Sequence, residues 1–300
     1  MTAVPAIFQL IVLPFCPESP KYLLVSKNQP EAAKKALIKL RQKSDVSAEL
    51  DEMKMELSKQ KASPKLRFVD MFTDKVLRWA LIIAAMMMLS QQFSGINAVM
   101  FYSTRIFRDA AHLQESEAQR ATLGIGAINI LMTLISTAII DRAGRRSLHL
   151  GGLGGMWVCS IMLTVFMILT VSIDMLAFDH NCKQYGYAWA SYMSILFLLG
   201  FVVSFAIGPG PIPWFFVSEL FNQNARGHAT SVVVPINWFA AFIVCLAFPP
   251  LQTMINQYTF LIFAALLTLF WLFTYKYVPE TKNRTVDDVV RELREFVNRH

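Results

Sequence analysis

Long runs of apolar residues alternate with polar segments along this chain, at about 77–104, 121–140, 148–173, 187–218, 229–250 and 257–278. Each run is long enough for a helix that crosses the hydrocarbon core of a bilayer, which takes roughly 20 residues. The pattern therefore predicts an all-α membrane protein with six full transmembrane helices. Residues 1–15 hold a shorter apolar run, which we interpret as the end of a truncated span.

The segments outside the apolar runs have helical patterns of their own. Residues 30–41 and 47–61 predict two amphipathic surface helices within an intracellular loop, 16–76. In the tail, Thr285 followed by Asp288 resembles a capping box that opens a further helix with one apolar stripe. The predicted organisation is a span end (1–15), a helical loop (16–76), a six-helix bundle (77–278) and a cytoplasmic tail (279–300).

Composition and charge support a membrane location. Only 16% of the 300 residues are charged and the mean hydropathy is +0.43, whereas a soluble domain has about 25% charged residues. Most of the 28 Lys and Arg lie in alternate segments, 16–76, 141–147, 219–228 and 276–300. Such a bias marks the cytoplasmic side. It accounts for the net charge of +7 without a nucleic-acid partner.

Cysteine and histidine positions predict no cofactor chemistry. The four cysteines are Cys16, Cys159, Cys182 and Cys245, and only Cys182 falls in a predicted outer loop. They form neither a disulfide framework nor a metal-binding pair. We therefore predict no metal site and no cofactor.

Two of the apolar runs are interrupted at matching places, each in the first member of a set of three runs. The first interruption lies in LSQQFSGINAV (89–99) and the second in GPGPIPW (208–214). Proline inside a helix costs about 3 kcal/mol or more, and irregular backbone at membrane depth is tolerated only in protein or beside a wet cavity. Paired interruptions indicate a transporter binding site. The predicted hinge comprises Gly208, Pro209, Gly210, Pro211 and Pro213.

Amide side chains inside the spans are candidates for substrate contacts. Gln91, Gln92, Asn97 and Asn129 lie in predicted helices, and an unpaired amide in an apolar setting costs roughly 2–7 kcal/mol. Bonds between helices would satisfy them, and so would a polyol ligand, because an amide both donates and accepts. We favour the polyol for the whole cluster. An ideal helical wheel places Gln91 and Gln92 on different faces.

Two tryptophans are candidate platforms for the apolar face of a sugar ring. Trp214 directly follows the proline-rich interruption, and Trp238 adjoins Asn237, which could add a polar contact. Ordinary packing or an aromatic belt at the membrane interface would explain them equally well. The glycines of GGLGG (151–155) predict close packing between helices.

Several motifs together resemble one known family. They are PESPKYL (17–23), QQFSGINAVMFYS (91–103), DRAGRR (141–146), GPGPIPW (208–214), SELF (218–221) with Arg226, and PETK (279–282). The chain resembles the C-terminal half of the sugar porters of the major facilitator superfamily, and most closely the animal facilitative glucose transporters. This resemblance implies facilitated diffusion of a hexose by alternating access, usually in the plasma membrane, and no enzymatic activity.

The resemblance also implies residue roles. Gln91, Gln92, Asn97, Asn129 and Trp214 match sugar-contacting positions of the family. A cytoplasmic salt-bridge network that latches the two halves in the outward-facing state is matched by Glu18, Asp141, Arg142, Arg145, Arg146, Glu219 and Arg226. Ala206 replaces a usual glutamate, and Met88 a usual glutamine. Both departures leave fructose open beside glucose as the substrate.

The family's cavity lies between two six-helix halves, and this chain matches one of them. The expected partners are therefore a hexose, the lipid bilayer, and a first half or another copy of the chain. The alternatives are a non-transporting form that binds or inhibits full-length transporter, a sugar sensor without flux, and a polar-solute channel. The channel fits the amides but not the latch motifs.

Overall fold

The computed structural model describes residues 3–25, 27–43, 45–62, 66–111, 114–176 and 188–299. Cys182 lies outside these ranges. The chain divides into two compact units, Met1–Leu66 and Arg67–His300. Every regular element in the described residues is a helix, as the sequence predicts.

The described residues of the first unit form four α-helices. They are α1 (Ala3–Val12, followed by a 3-10 turn), α2 (Pro20–Val25), α3 (Pro30–Arg41) and α4 (Ser47–Ala62). Pro30 opens α3, where its missing N–H costs nothing. One face of α3 packs with Leu23 and Leu24 of α2 and with Leu50 of α4. Both predicted segments are helical, as α3 and α4, but only α3 separates apolar from polar residues on different faces.

The second unit contains the long apolar helices. In chain order its elements are α5 (Asp70–Thr73), α6 (Lys75–Phe93), α7 (Ile96–Ala111), α8 (Glu115–Ala143), α9 (Arg145–Leu176), α10 (Ala188–Ile207), α11 (Ile212–Leu220), α12 (Gln223–Ile255), α13 (Thr259–Tyr277) and α14 (Val286–Arg299). The core lies among α7, α8, α9, α10, α12 and α13, around side chains such as Phe201, Phe248 and Leu267, and side chains of α6 pack against it.

Five segments of the described residues are long and apolar enough to cross a membrane: Lys75–Thr104, Glu115–Ala143, Arg145–Ser172, Tyr192–Leu220 and Asn224–Tyr277. The last is 54 residues long and contains α12 and α13, which a short 3-10 turn at Asn256–Tyr258 separates. The predicted apolar runs are therefore helical, and the number of separate crossings, six, stays a prediction.

Both predicted interruptions are present in the backbone. Gly95 lies between α6 and α7 with φ +89°, a left-handed conformation that favours glycine. The second interruption separates α10 from α11 at residues 208–211. Pro213 lies in the first turn of α11, where proline is tolerated. The three prolines therefore produce a single break between two helices.

The glycines of GGLGG bring α9 against α10, as predicted. A Cβ atom added at Gly152 would lie 2.5 Å from Pro209 Cδ and 2.7 Å from Gly208 Cα. One added at Gly155 would lie 2.5 Å from Ser204 Oγ. Only glycine at position 152 allows the two backbones to approach this closely, so α9 supports the broken segment.

Helix α14 begins with the predicted capping box. Thr285 Oγ1 accepts the Asp288 N–H at 3.3 Å, and Asp288 Oδ2 accepts both the N–H and the hydroxyl of Thr285. The apolar stripe of the helix packs on the end of α6, where the ring of Phe296 stacks on Trp79 with centroids 5.6 Å apart. The predicted apolar stripe therefore faces the bundle.

Candidate functional site

The predicted hinge and the predicted amide cluster are in direct contact. Gln91 lies near the end of α6, and its side-chain nitrogen donates to the carbonyls of Pro209 at 3.0 Å and Gly210 at 2.6 Å. The break between α10 and α11 leaves such carbonyls without helical partners. Gln91 therefore supplies donors that the interrupted backbone requires.

Asn237 of α12 joins both glutamines into one network. Its side-chain nitrogen donates to Met88 O at 3.1 Å and to Gln91 Oε1 at 2.9 Å. Its side-chain oxygen accepts from Gln92 Nε2 at 2.9 Å. Asn97, just beyond the Gly95 break, donates to Gln92 Oε1. The glutamines meet despite their separation on an ideal wheel, because their long side chains converge on Asn237.

Backbone carbonyls set the direction of these hydrogen bonds. Met88, Pro209 and Gly210 offer only acceptors here, so the amide nitrogens of Asn237 and Gln91 must face them. The donors and acceptors of the remaining bonds are then fixed. Gln92 donates to Asn237 and accepts from Asn97, which is the outermost donor. Gln91, Gln92 and Asn237 are buried, whereas Asn97 is half-buried. A ligand that enters this network would meet Asn97 first.

The remaining predicted contact residues lie outside this network of bonds. Asn129 of α8 is half-buried, and its side-chain oxygen is buried without a hydrogen-bond partner among the described residues. Trp214 in α11 is 41% exposed and Trp238 in α12 is 62% exposed. These exposures leave both indole rings accessible, and their role as sugar platforms stays a prediction.

Several predicted latch residues lie together at the start of α9. Arg145 Nε lies 2.9 Å from Glu219 Oε1, and its Nη2 lies 2.9 Å from Asp141 Oδ1. The side chain of Arg145 is 17% exposed and that of Asp141 is 78% exposed, so the bond to Glu219 is the better shielded. Arg145 thereby connects the ends of α8, α9 and α11.

The other predicted latch residues have different surroundings. Arg226 donates to the carbonyl of Ser218 at 2.7 Å, and Arg146 donates to the carbonyl of Tyr275 at 2.6 Å. Arg142 has an exposed side chain, and its own carbonyl accepts from Lys282. Glu18 belongs to the first unit and accepts from the N–H of Ser19.

Two residues of the latch cluster escaped the sequence-based selection, although both lie in the quoted PETK motif. Glu280 Oε1 accepts backbone N–H groups of Arg145 at 3.0 Å and of Thr281 at 3.0 Å. A carboxylate is favourable at the positive end of a helix. Thr281 donates its hydroxyl to Glu219 Oε2. The capping of α9 by a residue 135 positions away has no local signal in the sequence.

The carboxylate of Glu280 packs directly against Gly144, where a side chain would collide with it. Gly144 ends α8 with φ +92°, and a Cβ atom there would lie 2.8 Å from Glu280 Oε2.

Two further contacts between helices were not predicted: Ser136 donates to Ile207 O at 2.9 Å, and Ser90 Oγ lies 3.1 Å from His149 Nε2. Both join different helices through a hydroxyl that the sequence does not distinguish from an ordinary core serine.

Comparison with protein families gives the identity of this helical arrangement. The family model described as "Sugar (and other) transporter" matches residues 1–293. The chain belongs to this sugar transporter family. Its members are transporters, so the predicted absence of enzymatic activity is confirmed, and the apolar helices make this sugar transporter chain a multi-pass membrane protein.

Curated relatives of this sugar transporter chain include animal glucose transporters. The chain is 46% identical over 294 residues to facilitated glucose transporter protein 1 of Caenorhabditis elegans, covering 97% of this chain and 55% of the relative. It is 43% identical over 292 residues to solute carrier family 2, facilitated glucose transporter member 1 of Gallus gallus, covering 97% and 56%. The chain spans about half the length of these relatives, which fits the predicted C-terminal half of a sugar porter.

Solved structures of a bacterial symporter share the fold. The proton:xylose symporter XylE of the major facilitator superfamily, bound to 6-bromo-6-deoxy-D-glucose, matches with a TM-score of 0.71 and 27% identity, covering 97% of this chain and 57% of the symporter. The inward-open conformation of XylE from E. coli matches with a TM-score of 0.66 and 25% identity, covering 96% and 54%.

Proposed function

We propose that this chain forms the C-terminal half of a facilitative hexose transporter, with glucose as the first substrate to test and fructose as the second. The observation that carries the proposal is the amide network of Gln91, Gln92, Asn97 and Asn237 beside the broken helix. Each amide both donates and accepts, and a sugar hydroxyl does the same. A hexose can therefore exchange its hydrogen bonds with those that the amides make to one another.

The position of the network supports transport and not binding alone. Gln91 holds the carbonyls of the 208–211 break, so a ligand that draws on Gln91 competes with the backbone bonds of the predicted hinge. Binding would then favour one arrangement of α10 and α11 over the other, which is how a ligand shifts a conformational equilibrium. In this proposal the hinge bends as the two gates open in turn.

A half chain needs a second wall for its cavity. We propose that a first half, provided by a longer chain or by another copy, completes the site. The predicted Lys and Arg bias places segment 16–76 and the C-terminus in the cytoplasm, and the plasma membrane is the proposed location. The alternative role is a form that binds and inhibits full-length transporter.

Uptake of labelled D-glucose in transport-null cells tests the proposal. We expect no uptake from these 300 residues alone and saturable uptake when a first half is co-expressed, with L-glucose as the stereochemical control. Fructose competition then ranks the two hexoses. Gln119→Ala, an exposed amide on α8, serves as the matched control for the network variants described below.

Three results would overturn parts of this proposal. Saturable uptake by the chain alone would mean that two copies form the pathway. Loss of uptake by a co-expressed full-length transporter would favour the inhibitory role. Flux that does not saturate with sugar concentration would favour a channel.

A further inference from the structure

The outer surface of α9 and α13 carries an apolar groove that is separate from the amide network. Its volume is about 500 Å³, and it is lined by Gly154, Trp157, Val158, Thr268, Trp271 and Leu272. Pockets for small ligands have volumes of about 300–1,000 Å³. The absence of a side chain at Gly154 opens the groove, since a Cβ atom there would lie 3.7 Å from Trp271 Nε1.

A cation, Arg146, lies near this groove, two ring contacts away from its wall. The rings of Trp271 and Tyr275 stack with centroids 5.4 Å apart, and the guanidinium carbon of Arg146 lies 5.8 Å from the centre of the Tyr275 ring. Trp271 lines the groove, so these stacked rings lead from its apolar wall directly to the charge. Tryptophan and tyrosine are enriched at membrane–water interfaces.

The guanidinium of Arg146 makes one hydrogen bond within the described residues. Its Nη2 donates to the neutral carbonyl of Tyr275 at 2.6 Å, and its Nε is buried without a partner among the described residues. Arg145 next to it binds two carboxylates, whereas Arg146 makes no salt bridge within the described part of the chain. Glu280 accepts the backbone N–H of Arg146 and not its guanidinium.

From this arrangement we propose that the groove binds one anionic phospholipid of the bilayer. An acyl chain lies between Trp157 and Trp271, and the phosphate accepts hydrogen bonds from Arg146, whose planar donors suit phosphate geometry. The end of α9 that carries Arg146 is the proposed cytoplasmic end, and the cytoplasmic leaflet is the one rich in anionic lipids. The groove is separate from the amide network, although Arg146 is also a predicted latch residue, and the test below does not depend on the orientation.

Quenching of tryptophan fluorescence by lipids with brominated acyl chains tests the site. The full chain is placed in phosphatidylcholine nanodiscs that contain a minor, equal fraction of brominated phosphatidylserine or brominated phosphatidylcholine. We expect phosphatidylserine to be preferred about fivefold, which corresponds to the roughly 1 kcal/mol that one basic residue contributes near an anionic surface. Replacing both groove tryptophans with Phe should remove the excess quenching, because the rings beside the bound acyl chain are then absent. The four remaining tryptophans report the background quenching.

Matched variants separate the groove from general attraction to charge. Gly154→Leu fills the groove and should abolish the preference, whereas Gly151→Leu, on the same helix with nothing within 4 Å, should retain it. Arg146→Gln should abolish the preference, and Arg120→Gln, which makes the same change in net charge, should not. Circular dichroism in nanodiscs without brominated lipid checks that each variant is folded.

Equal quenching by the two brominated lipids in the unmodified chain would overturn the proposal. So would a preference for phosphatidylserine that survives both Gly154→Leu and Arg146→Gln, since it would then arise from the net charge of +7. If Arg146→Gln misfolds, Gly154→Leu and its glycine control still decide the question.

Discussion

At the scale of single residues, the amides of the network contribute unequally to the structure. Gln91 is buried and holds two backbone carbonyls, whereas Asn97 is half-buried and makes the outermost bond. Loss of a buried partner leaves the other group unsatisfied, at about 1–3 kcal/mol. Substitution of Gln91 should therefore lower stability as well as sugar affinity, whereas substitution of Asn97 should lower mainly the affinity.

We predict that Asn97→Ala raises the KM for glucose in a completed transporter with little change in stability. Gln91→Ala should raise the KM and also lower the thermal midpoint, because the Pro209 and Gly210 carbonyls lose their donor. The measurements are labelled-glucose uptake, the amount of protein at the membrane, and thermal unfolding. An unchanged KM in both variants would assign these amides to helix packing alone.

Gly95 is predicted to be intolerant of any side chain. Its φ of +89° is costly for other residues, by about 1–2 kcal/mol, and a Cβ atom would lie 2.7 Å from the ring of Phe263. Gly95→Ala should therefore destabilise the bundle by more than that amount in thermal unfolding. Gly126→Ala, where nothing lies within 4 Å, is the control and should be neutral or stabilising, because Ala favours a helix.

At the scale of elements, the break between α10 and α11 is held from two sides. Ser136 of α8 donates to Ile207 O at 2.9 Å, and Gln91 of α6 holds the next carbonyls. An interrupted helix must obtain such partners from neighbouring elements inside a membrane. The hinge is therefore a junction of several helices.

Ser136→Ala should lower the thermal midpoint, because Ile207 O loses its buried donor at a cost of about 1–3 kcal/mol. Ser194→Ala is the matched control. Ser194 is also buried, but its hydroxyl bonds to Ala190 O within its own helix, where the backbone bond remains. Equal midpoints for the two variants would contradict a supporting role for Ser136 at the break.

Helix α14 should loosen as the pH falls. The hydrogen bond from Thr285 holds the pKa of the Asp288 carboxyl below its ordinary value, with the nearby Arg291 and Arg284 acting in the same direction. The folded state therefore gains stability above the ordinary Asp pKa, near 4, and loses it as the pH falls through the lowered value. Hydrogen exchange in 286–299, corrected for the intrinsic rate, should accelerate there.

Asp288→Asn is the control for this pH dependence, because its side-chain oxygen still accepts hydrogen bonds but does not titrate. The variant should show less protection at neutral pH and a flatter pH profile. The same pH profile in both proteins would assign the acid effect to other carboxyl groups.

At the scale of the whole molecule, Arg145 joins three helix ends at the predicted latch. Asp141 ends α8, Glu219 ends α11, and Glu280 caps the start of α9. An exposed ion pair contributes only about 0–1 kcal/mol, so the shielded bond to Glu219 should dominate.

Arg145→Ala should shift a completed transporter toward the inward-facing state, because one charge of the latch is removed. Asp141→Asn removes only the exposed pair and should cause a smaller shift. Distances between spectroscopic labels on the two halves measure the ratio of conformers. A ratio unaffected by Arg145→Ala would exclude the latch role.

The sequence by itself determined the class of the fold and the places where its helices break. Twenty or more apolar residues in a row require a membrane-spanning helix, and Gly95 and the GPGPIP segment interrupt helices through their own backbone limits. The capping box of α14 and the packing glycines of α9 were equally predictable, because each depends on residues within a few positions. The candidate amides followed from their place inside apolar runs, and the family resemblance then matched four of them to sugar-contacting positions.

Only the tertiary structure decided which of these residues meet. Gln91 and Gln92 lie apart on a helical wheel, yet both bond to Asn237, which is 146 and 145 positions away. Glu280 caps α9 from beyond α13, and Ser136 reaches the carbonyl of Ile207. Such contacts depend on how whole helices pack and cross. Helix packing is set by the shapes of entire apolar faces, so no local pattern specifies it.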